Sequence, residues 1–379
     1  YKGIGLNKHL LLPIPFSNMF VDFVFFCCDL FNVNCFFFQE THSTEEDVDF
    51  WKSQWGSGNI FLSHGSSRSA GVAIFLHNFD GKVFDHKSDI DGHWVMVNLE
   101  VDNTKYILVN IYGFNNRTKN HRLVANTKHM IINWKRVYST DKVVVAGDFN
   151  VVPDEYQDRY PTQHNPNGFN KIISEFSSSL DLIDIWRKRN PHKLQYTWNN
   201  SERSQRSRID YWLITSNLIS LTLNCNISHS PLTDHCAITL TLSPETNLPK
   251  TGPSQWKLKN SLLNNTNFCK KIKSVIIEIK AIQYLSPINK WEWLKFNIRK
   301  TAIEEGKLLA GKKRQDQAEI ISKLNTLCNL TQQSEENVIE INNLQFKLDE
   351  LYTEKAKGAF IRSKAKWIED GEKKLNLFF

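Results

Sequence analysis

Residues 142–150, KVVVAGDFN, form the stretch around which the rest of the chain is organised. Three valines and an alanine precede Gly147, and an acid, an aromatic residue and an amide follow it. A short apolar run bounded by glycine and polar residues predicts a strand that is buried on both faces. Asp148 and Asn150 are two positions apart, so an extended backbone would point both side chains toward one pocket. Taken alone, however, the stretch is equally typical of a strand that ends in an ordinary turn.

Length and composition indicate a globular protein with two units. The 379 residues suggest two domains at about 150 residues each. Seven cysteines without a CxxC pair favour a reducing compartment over a disulfide scaffold. Residues 20–38 are very apolar, but Asp22 and Asp29 within them disfavour a membrane span. We therefore expect a soluble intracellular protein.

The charge is distributed unevenly along the chain. Residues 1–245 contain 23 Lys and Arg against 25 Asp and Glu, a net charge of −2. Residues 246–379 contain 24 against 15, a net charge of +9. The basic second part suggests an anionic partner, although a solvated face of basic helices explains the same asymmetry.

The hydrophobic pattern predicts many strands with a few helices between them, followed by helices alone. Strand-like segments are residues 35–38, 93–101, 143–146, 196–199, 207–215 and 236–242, residues 63–76 are a loop that feeds a strand, and residues 105–116 are a strand that opens into a loop. Helical spacing occurs at 121–138 and 168–185. This pattern indicates an α/β or α+β fold. Residues 244–255 have the composition of a linker, and the signal beyond 256 is helical. Ile341, Leu344, Leu348 and Leu351 form a short heptad seam.

Acids, amides and one histidine fall at the ends of the predicted strands. They are Glu40, Asn110, Tyr112, Asn115, Asp148, Asn150, Asp210, Asp234 and His235. Each alone has an ordinary explanation, such as a solvated loop acid or a structural histidine. Together they supply what phosphodiester hydrolysis requires, namely oxygen ligands for a hard cation, a carboxylate that orients water, and donors around a phosphate.

Five short motifs in order carry a family resemblance. They are QETH at 39–42, NIYGFN at 110–115, GDFN at 147–150, SRIDY at 207–211 and TDH at 233–235. In this order and spacing they resemble the endonuclease/exonuclease/phosphatase superfamily, and within it the apurinic/apyrimidinic-type endonuclease domain of LINE-type (non-LTR) retrotransposons. Residues 364–379 are similar to the segment that leads into the reverse transcriptase of those elements. The resemblance covers about residues 1–242 and this tail.

The resemblance implies a role for each motif residue. Glu40 and Asp234 would bind the metal, and Asp148, with Asn150 beside it, would position the attacking water. Asp210 would pair with His235 and keep it charged, and Tyr112 would contact the phosphate. Asn110, Asn115, Thr197 and Arg208 would line the phosphate- and DNA-binding rim.

The resemblance also implies a fold, a reaction and partners. The expected fold is α+β, a four-layer α/β/β/α sandwich over residues 1–243, with the linker 244–255 and a basic helical region over 256–379 that leads toward a missing reverse transcriptase. The expected reaction is Mg²⁺-dependent nicking of double-stranded DNA, with Mn²⁺ as an alternative ion, to leave a 3′-hydroxyl primer in the nucleus. Element RNA is the second expected partner, through residues 312–314 and 362–366, and no membrane is expected.

The amino-terminal region departs from the family pattern. Lys2 occupies the position of an expected asparagine, and residues 9–36 lack the expected basic amphipathic helix. A lysine cannot accept a hydrogen bond at the edge of a metal site. The alternatives are therefore a catalytically impaired nucleic-acid-binding remnant, or the same fold acting on a phospholipid or inositol phosphate. A glycine-rich nucleotide loop is absent from the sequence, which argues against an ATP-using enzyme.

Overall fold

The computed structural model describes residues 9–13, 33–55, 58–77, 79–162, 169–200, 202–229, 233–243, 258, 260–328, 330 and 334–375. Within these residues the strands form two six-stranded sheets and one three-stranded sheet. Lys2 and the predicted linker 244–255 lie outside the described residues, so the predictions about them stay predictions.

The first large sheet is mostly antiparallel. Its strands, in spatial order, are β14 (Thr222–His229), β15 (Cys236–Leu242), β1 (His9–Pro13), β2 (Cys35–Gln39), β4 (Val72–Leu76) and β3 (Asn59–Ser63). β1 and β2 run parallel, and the other neighbours run antiparallel. Every residue of β2, CFFFQ, is buried, because this strand has strands on both sides and packed layers on both faces.

The second large sheet contains the central stretch. Its strands, in spatial order, are β10 (Leu182–Asp184), β13 (Asp210–Thr215), β8 (Val143–Asp148), β7 (Thr104–Tyr112), β6 (Trp94–Val101) and β5 (Lys82–Ser88). β8 is buried along its whole length, which confirms the predicted buried strand. A Cβ atom at Gly147 would lie 1.8 Å from the carbonyl oxygen of Ile111, so this close approach of β8 to β7 requires glycine.

Helices cover the outer faces of both sheets. On the first sheet, α1 (Val48–Trp55) packs the ring of its last residue against Phe36 and Phe75. On the second sheet, α2 (Arg117–Tyr138) and α3 (Phe169–Leu180) close a second hydrophobic core. The inner faces of the two sheets share the other core. The expected four-layer α/β/β/α sandwich is confirmed.

Two predicted elements differ from the structure. The helix predicted over 168–185 ends at Leu180, because Asp181 adopts a left-handed backbone with φ +58°. The chain then forms β10 and the short helix α4 (Ile185–Arg189). The segment predicted as one strand over 207–215 belongs to two strands. Ser207 lies in a short strand of the third, three-stranded sheet (the small sheet), and Asp210–Thr215 form β13. That sheet contains, in spatial order, β11 (Trp198–Asn199), β12 (Arg206–Ser207) and β9 (Arg159–Tyr160).

The later part of the chain is helical, as predicted. Its helices in the described residues are α5 (Thr266–Ala281), α6 (Pro287–Cys328) and α7 (Glu335–Leu375). The chain divides into two compact units, one made of Tyr1–Pro249 with Leu324–Phe379 and the other of Lys250–Lys323. In the second unit, Leu262, Phe268 and Ala302 form a small core. None of the described helices has both the length and the apolar character that are needed to cross a bilayer.

The predicted heptad seam changes at its last position. Ile341, Leu344 and Leu348 are buried on α7, but the next buried residue is Tyr352, and Leu351 is only half-buried. A step of four residues keeps the buried stripe on one face of a straight helix, whose period is 3.6 residues.

Candidate active site

Three neighbouring strands of the second sheet align three of the predicted site residues. In the register of β7, β8 and β13, Tyr112 is paired with Asp148, and Asp148 with Asp210. Side chains that are paired across neighbouring strands project from the same face of a sheet. The ends of these strands therefore bring together residues that are far apart in the sequence.

Asp210 and His235 form a buried ion pair. His235 Nδ1 lies 2.9 Å from Asp210 Oδ2, and Asp210 has no exposed surface. Burial alone would lower the pKa of His235, but the charge and hydrogen bond of Asp210 and the charge of Asp148 outweigh it and raise the pKa to about 10. The imidazole is therefore positively charged at neutral pH.

The Asp148 carboxyl group is held in an environment that disfavours its charge. Burial raises its pKa well above the ordinary value, and the neighbouring charge of Asp210 raises it further. The positive charge of His235 and a 2.9 Å hydrogen bond from the backbone N–H of Asn150 act in the opposite direction. A carboxylate with a raised pKa is a better proton acceptor than an ordinary aspartate, which suits a group that activates water.

The first sheet contributes Glu40, directly after β2. The Tyr112 hydroxyl donates a hydrogen bond to Glu40 Oε1 over 2.5 Å, which joins the two sheets at the site. Burial, this hydrogen bond and the charge of Glu40 raise the pKa of Tyr112, so the phenol stays neutral and acts as a donor. Glu40 has a left-handed backbone with φ +54°, a conformation that is uncommon outside glycine and that often marks functional sites.

Asn150 lies at the site, but its backbone conformation differs from the extended one that was predicted. Its backbone is left-handed, with φ +50°, so the argument from extended alternation was wrong. Its side-chain Nδ2 instead donates to the carbonyl oxygen of Gly113 over 2.8 Å, and its side chain also hydrogen-bonds to Tyr112. The turn after β8 therefore places Asn150 beside both Asp148 and Tyr112.

Thr197 is a buried support for the Asp210–His235 pair. The expected contact with phosphate or DNA does not fit its position, because it has no exposed surface. Its hydroxyl accepts hydrogen bonds from the backbone N–H groups of Ile209 and Asp210 at 3.0 and 3.1 Å, and its carbonyl accepts one from Cys236 at 2.6 Å. Thr197 thus holds the start of β13 and the start of β15, which carry the two members of the ion pair.

Asn110 likewise lies between the sheets and not at the rim. Its Nδ2 donates to the carbonyl oxygens of Phe38 and Ala73, each at 2.9 Å, and its Oδ1 accepts from Gln39 Nε2 at 2.5 Å. The side chain is fully buried, which contradicts the expected contact with DNA. Its contacts fix β2, and therefore Glu40, against β7.

Arg208 is also buried, and its charge is neutralised inside the protein. Its guanidinium contacts both oxygens of Asp158 at 2.6 and 2.9 Å and Asp184 at 2.7 Å. Burial would lower the pKa of Arg208, but these two carboxylates raise it above the ordinary value. The expected DNA contact is corrected accordingly, because a paired guanidinium with almost no exposed surface offers nothing to a phosphate.

Asn115 and Asp234 are the exposed members of the predicted set. Asn115 lies in the loop between β7 and α2. Asp234 Oδ2 accepts a 2.8 Å hydrogen bond from Trp198 Nε1, and its charge contributes to the raised pKa of His235. These two side chains are therefore placed where they can meet a large substrate.

His93 was not predicted as a site residue, yet it braces Tyr112. Its ring stacks on Phe114 with centroids 3.6 Å apart and lies parallel to the ring of Tyr112 at 5.5 Å. Its Nδ1 lies 2.6 Å from the carbonyl oxygen of Tyr112, and burial lowers its pKa. A histidine at the start of an alternating strand has no motif around it, so only the three-dimensional contacts identify it.

The side chains at this site fit a divalent cation. Ligand atoms of Asp148, Asp210 and His235 lie within 4.8 Å of one another. A charged imidazole donates from both nitrogens and cannot be a ligand, so the carboxylates are the available donors. Asp210 Oδ1 is buried without a hydrogen-bond partner among the described residues, and Glu40 adds another carboxylate. Such an oxygen-rich donor set is the one that Mg²⁺ prefers.

Comparisons with known proteins agree with this geometry. The chain is 26% identical over 354 residues to the Transposon TX1 uncharacterized 149 kDa protein of Xenopus laevis, an alignment that covers 90% of this chain but only 26% of the relative. The chain thus spans about a quarter of that protein's length.

Solved structures show the same fold. The AP endonuclease LMAP of Leishmania major matches with a TM-score of 0.52 at 15% identity, over 63% of this chain and 88% of the other. The 3′ phosphatase NExo of Neisseria, bound to product DNA hairpin, matches with a TM-score of 0.50 at 15% identity, over 62% and 99%. The model of the Endonuclease/Exonuclease/phosphatase family matches residues 28–235, more than half of the chain. The chain therefore belongs to the Endonuclease/Exonuclease/phosphatase family.

Proposed function

We propose that the chain is a Mg²⁺-dependent DNA-nicking endonuclease, a part of a non-LTR retrotransposon polyprotein. The single observation that carries the proposal is the row of paired residues Tyr112–Asp148–Asp210, closed by a charged His235 on one side and by Glu40 on the other. This arrangement provides a proton acceptor, a cationic donor and a carboxylate ligand at the end of one sheet sandwich.

Asp148 is the residue that would orient and deprotonate the attacking water. Burial and the charge of Asp210 raise its pKa, which strengthens it as a base. The backbone N–H of Asn150 holds one carboxylate oxygen at 2.9 Å and leaves the other for water. The base is therefore oriented before a substrate arrives, which lowers the reorganisation that the reaction requires.

His235 would stabilise the negative charge that develops on the phosphate. Its Nδ1 is directed to Asp210, so Nε2–H is the donor that remains for a phosphate oxygen. Because the pKa is raised to about 10, the ring stays an imidazolium through the physiological range and acts as a fixed positive charge.

Glu40 and Asp234 are the carboxylates that would hold the metal ion, with Asp210 Oδ1 as a further oxygen donor. A bound Mg²⁺ supplies positive charge to the scissile phosphate and to the leaving oxygen. The hydrogen bond from Tyr112 to Glu40 fixes the orientation of that ligand, as outer-shell partners of metal ligands commonly do.

Double-stranded DNA is the substrate that we propose. Support comes from the transposon relative and from the fold shared with an AP endonuclease and with a phosphatase that was solved with a DNA hairpin. Cleavage that leaves a 3′-hydroxyl would provide a primer for reverse transcription. The proposed site of action is the nucleus, where the target DNA lies.

Element RNA is the second partner that we propose, for the basic helical region over 256–379. The most basic part of the helical sequence is the unit Lys250–Lys323. This unit contains 16 Lys and Arg against 6 Asp and Glu, a net charge of +10, which exceeds the +7 of the whole chain. Lys312, Lys313 and Arg314 are exposed on α6, and residues 362–366 lie in α7. Such a basic surface favours binding to a phosphate backbone, with an affinity that falls steeply as salt rises.

Nicking of supercoiled plasmid by the full chain tests the proposal. We expect Mg²⁺-dependent open-circle product from the parent and none from Asp148→Ala or His235→Ala. Asp141→Ala removes an exposed carboxylate of the same kind and should nick like the parent. Extension of the nick by a DNA polymerase would show the 3′-hydroxyl, and phosphoinositide and nucleotide monophosphate substrates in parallel would show a different substrate class.

The variant Lys2→Asn distinguishes an endonuclease site that one substitution has disabled from a protein that is not an endonuclease. A silent parent with an active Lys2→Asn would mean that one substitution has disabled a sound site. If every variant is folded but silent on DNA, the endonuclease proposal fails, and salt-dependent binding without cleavage would favour a nucleic-acid-binding remnant.

A further inference from the structure

Two arginines next to the small sheet contact the end of α6. Arg206 donates through Nη1 to the carbonyl oxygen of Cys328, and through Nη2 to that of Leu330 at 3.2 Å. Arg203 Nη1 lies 3.4 Å from Cys328 Sγ. Both arginines are almost fully buried, so these contacts are not those of mobile surface side chains.

Helix geometry explains why arginines occupy this place. The last four carbonyl groups of an α-helix lack partners within the helix, and the helix dipole places partial negative charge at that end. The guanidinium of Arg206 meets this charge with two donors in a fixed plane. It also lies over the rings of Tyr160 at 4.5 Å and Tyr196 at 5.3 Å, which keep it in position when the helix end is present.

The small sheet in turn contacts the candidate active site. In its register, Ser207 pairs with Trp198 directly beside the pair of Arg206 with Asn199. Trp198 forms a bridge to His235, and its Nε1 donates to Asp234. The end of α6 is therefore connected to the charged histidine through two paired strands.

The contact has the character of a docked surface and not of a continuous core. A cavity of about 820 Å³ lies beside it, lined by Tyr160 and Arg203 on one side and by Glu335 and Val338 on the other. The helix end is held here by hydrogen bonds, so loss of the contact need not unfold the sandwich.

We propose that the end of α6 docks on the small sheet as a positioning element, and that Arg203 and Arg206 couple this helical extension, which is residues 324–328, to His235. This inference rests on the proposed endonuclease function. With the extension docked, β11 and β12 hold His235 in register with Asp210. When the extension is released, the histidine loses part of that support, and nicking becomes slower without weaker binding of DNA.

The test disrupts the contact from each side in the full chain. Arg206→Met removes the guanidinium donors, and Leu324→Asp destabilises the end of α6 at a fully buried position of that helix. We expect each variant to lower kcat for nicking about tenfold, as small misplacements of catalytic groups do. KM should stay within about twofold, since the DNA-binding surface is unchanged. Leu308→Asp makes the same change at an exposed position of α6 and should behave like the parent.

Amide hydrogen exchange provides a readout that does not depend on activity. Both variants should lose protection at residues 198–207 and 233–236, and the double variant should resemble the single ones, because the two changes break one contact. Unchanged exchange in both variants would overturn the docking, and faster exchange with unchanged kcat would overturn the positioning role. If the parent does not nick DNA, the proposed function and the positioning role fail, while exchange still decides whether the surfaces dock.

Discussion

His235 Nδ1 lies 2.9 Å from Asp210 Oδ2, and this pair joins the two large sheets. Asp210 begins β13 in the second sheet, and His235 directly precedes β15 in the first. The position of the charged histidine therefore depends on how the two sheets pack, and its raised pKa depends mainly on the buried carboxylate of Asp210.

Asp210→Asn should shift the pH dependence of nicking. Without the carboxylate, the pKa of His235 should fall from about 10 toward the ordinary value near 6.5, and nicking at pH 8 should decrease about 10²-fold or more. Rates between pH 6 and 10 would show the alkaline limb moving to lower pH. Asp141→Asn is the matched control, and an alkaline limb that stays in place would mean that His235 is not the titrating group.

The same pair should make the stability of the protein depend on pH. The folded pKa of His235 is raised above its unfolded value, so the pair stabilises the fold fully below about pH 6.5 and progressively less as the pH rises through 10. Urea denaturation at several pH values should show a smaller decline between pH 7 and 10 for His235→Asn than for the parent. Equal declines would contradict the raised pKa.

Asp148→Asn should abolish nicking and yet stabilise the fold. Burial and Asp210 raise the pKa of Asp148, which means that its ionised form is disfavoured in the folded state. The penalty is present above the folded pKa and disappears in acid. We expect Tm in EDTA to increase by about 2 °C at pH 7, corresponding to about 1 kcal/mol, and by less at pH 4. A decrease in Tm at pH 7 would show that the carboxylate is stabilising.

Tyr112→Phe should increase the Mg²⁺ concentration that nicking requires. The variant loses the 2.5 Å hydrogen bond that orients Glu40, and loss of such a partner commonly reduces metal affinity about 10- to 100-fold. A Mg²⁺ titration of nicking should show a corresponding increase in the half-maximal concentration, and EDTA should stop the parent. Tyr156→Phe changes an exposed tyrosine and serves as the control. An unchanged titration would argue against Glu40 as a ligand.

A substitution at Asn110 should lower the stability of the fold, and a substitution at Asn115 should weaken DNA binding. Asn110→Leu removes the side-chain hydrogen bonds that Nδ2 donates to the carbonyl oxygens of Phe38 and Ala73, which should lower the free energy of unfolding by about 2 kcal/mol. The affinity of the folded variant for DNA should not change. Asn115→Ala should do the opposite, because the side chain is exposed. Urea denaturation and DNA-binding titrations on both variants distinguish the two roles.

Local patterns in the sequence indicated an α/β or α+β fold, and the resemblance carried by the five motifs added the four-layer sandwich and the candidate site residues. The apolar run 143–146 predicts a buried strand because both faces of that strand lie in hydrophobic cores, and such runs are visible without a structure. The order of the five motifs then indicated the family, and with it Glu40, Asp148, Asp210 and His235. These residues lie at or directly beside strand ends, and strand ends are recognisable from the neighbouring residues alone.

The tertiary structure alone decided which polar residues face a substrate and which lie inside. Arg208 has the same guanidinium as any surface arginine, but the register of β13 buries it against Asp158, 50 residues away in the sequence. Asn110 and Thr197 are buried in the same way, because the packing of the two sheets closes over them. The contact of Arg206 with the end of α6 joins residues 122 positions apart. Sequence periodicity describes neighbours along the chain, whereas these roles depend on contacts between distant segments, which only the packing of strands and helices creates.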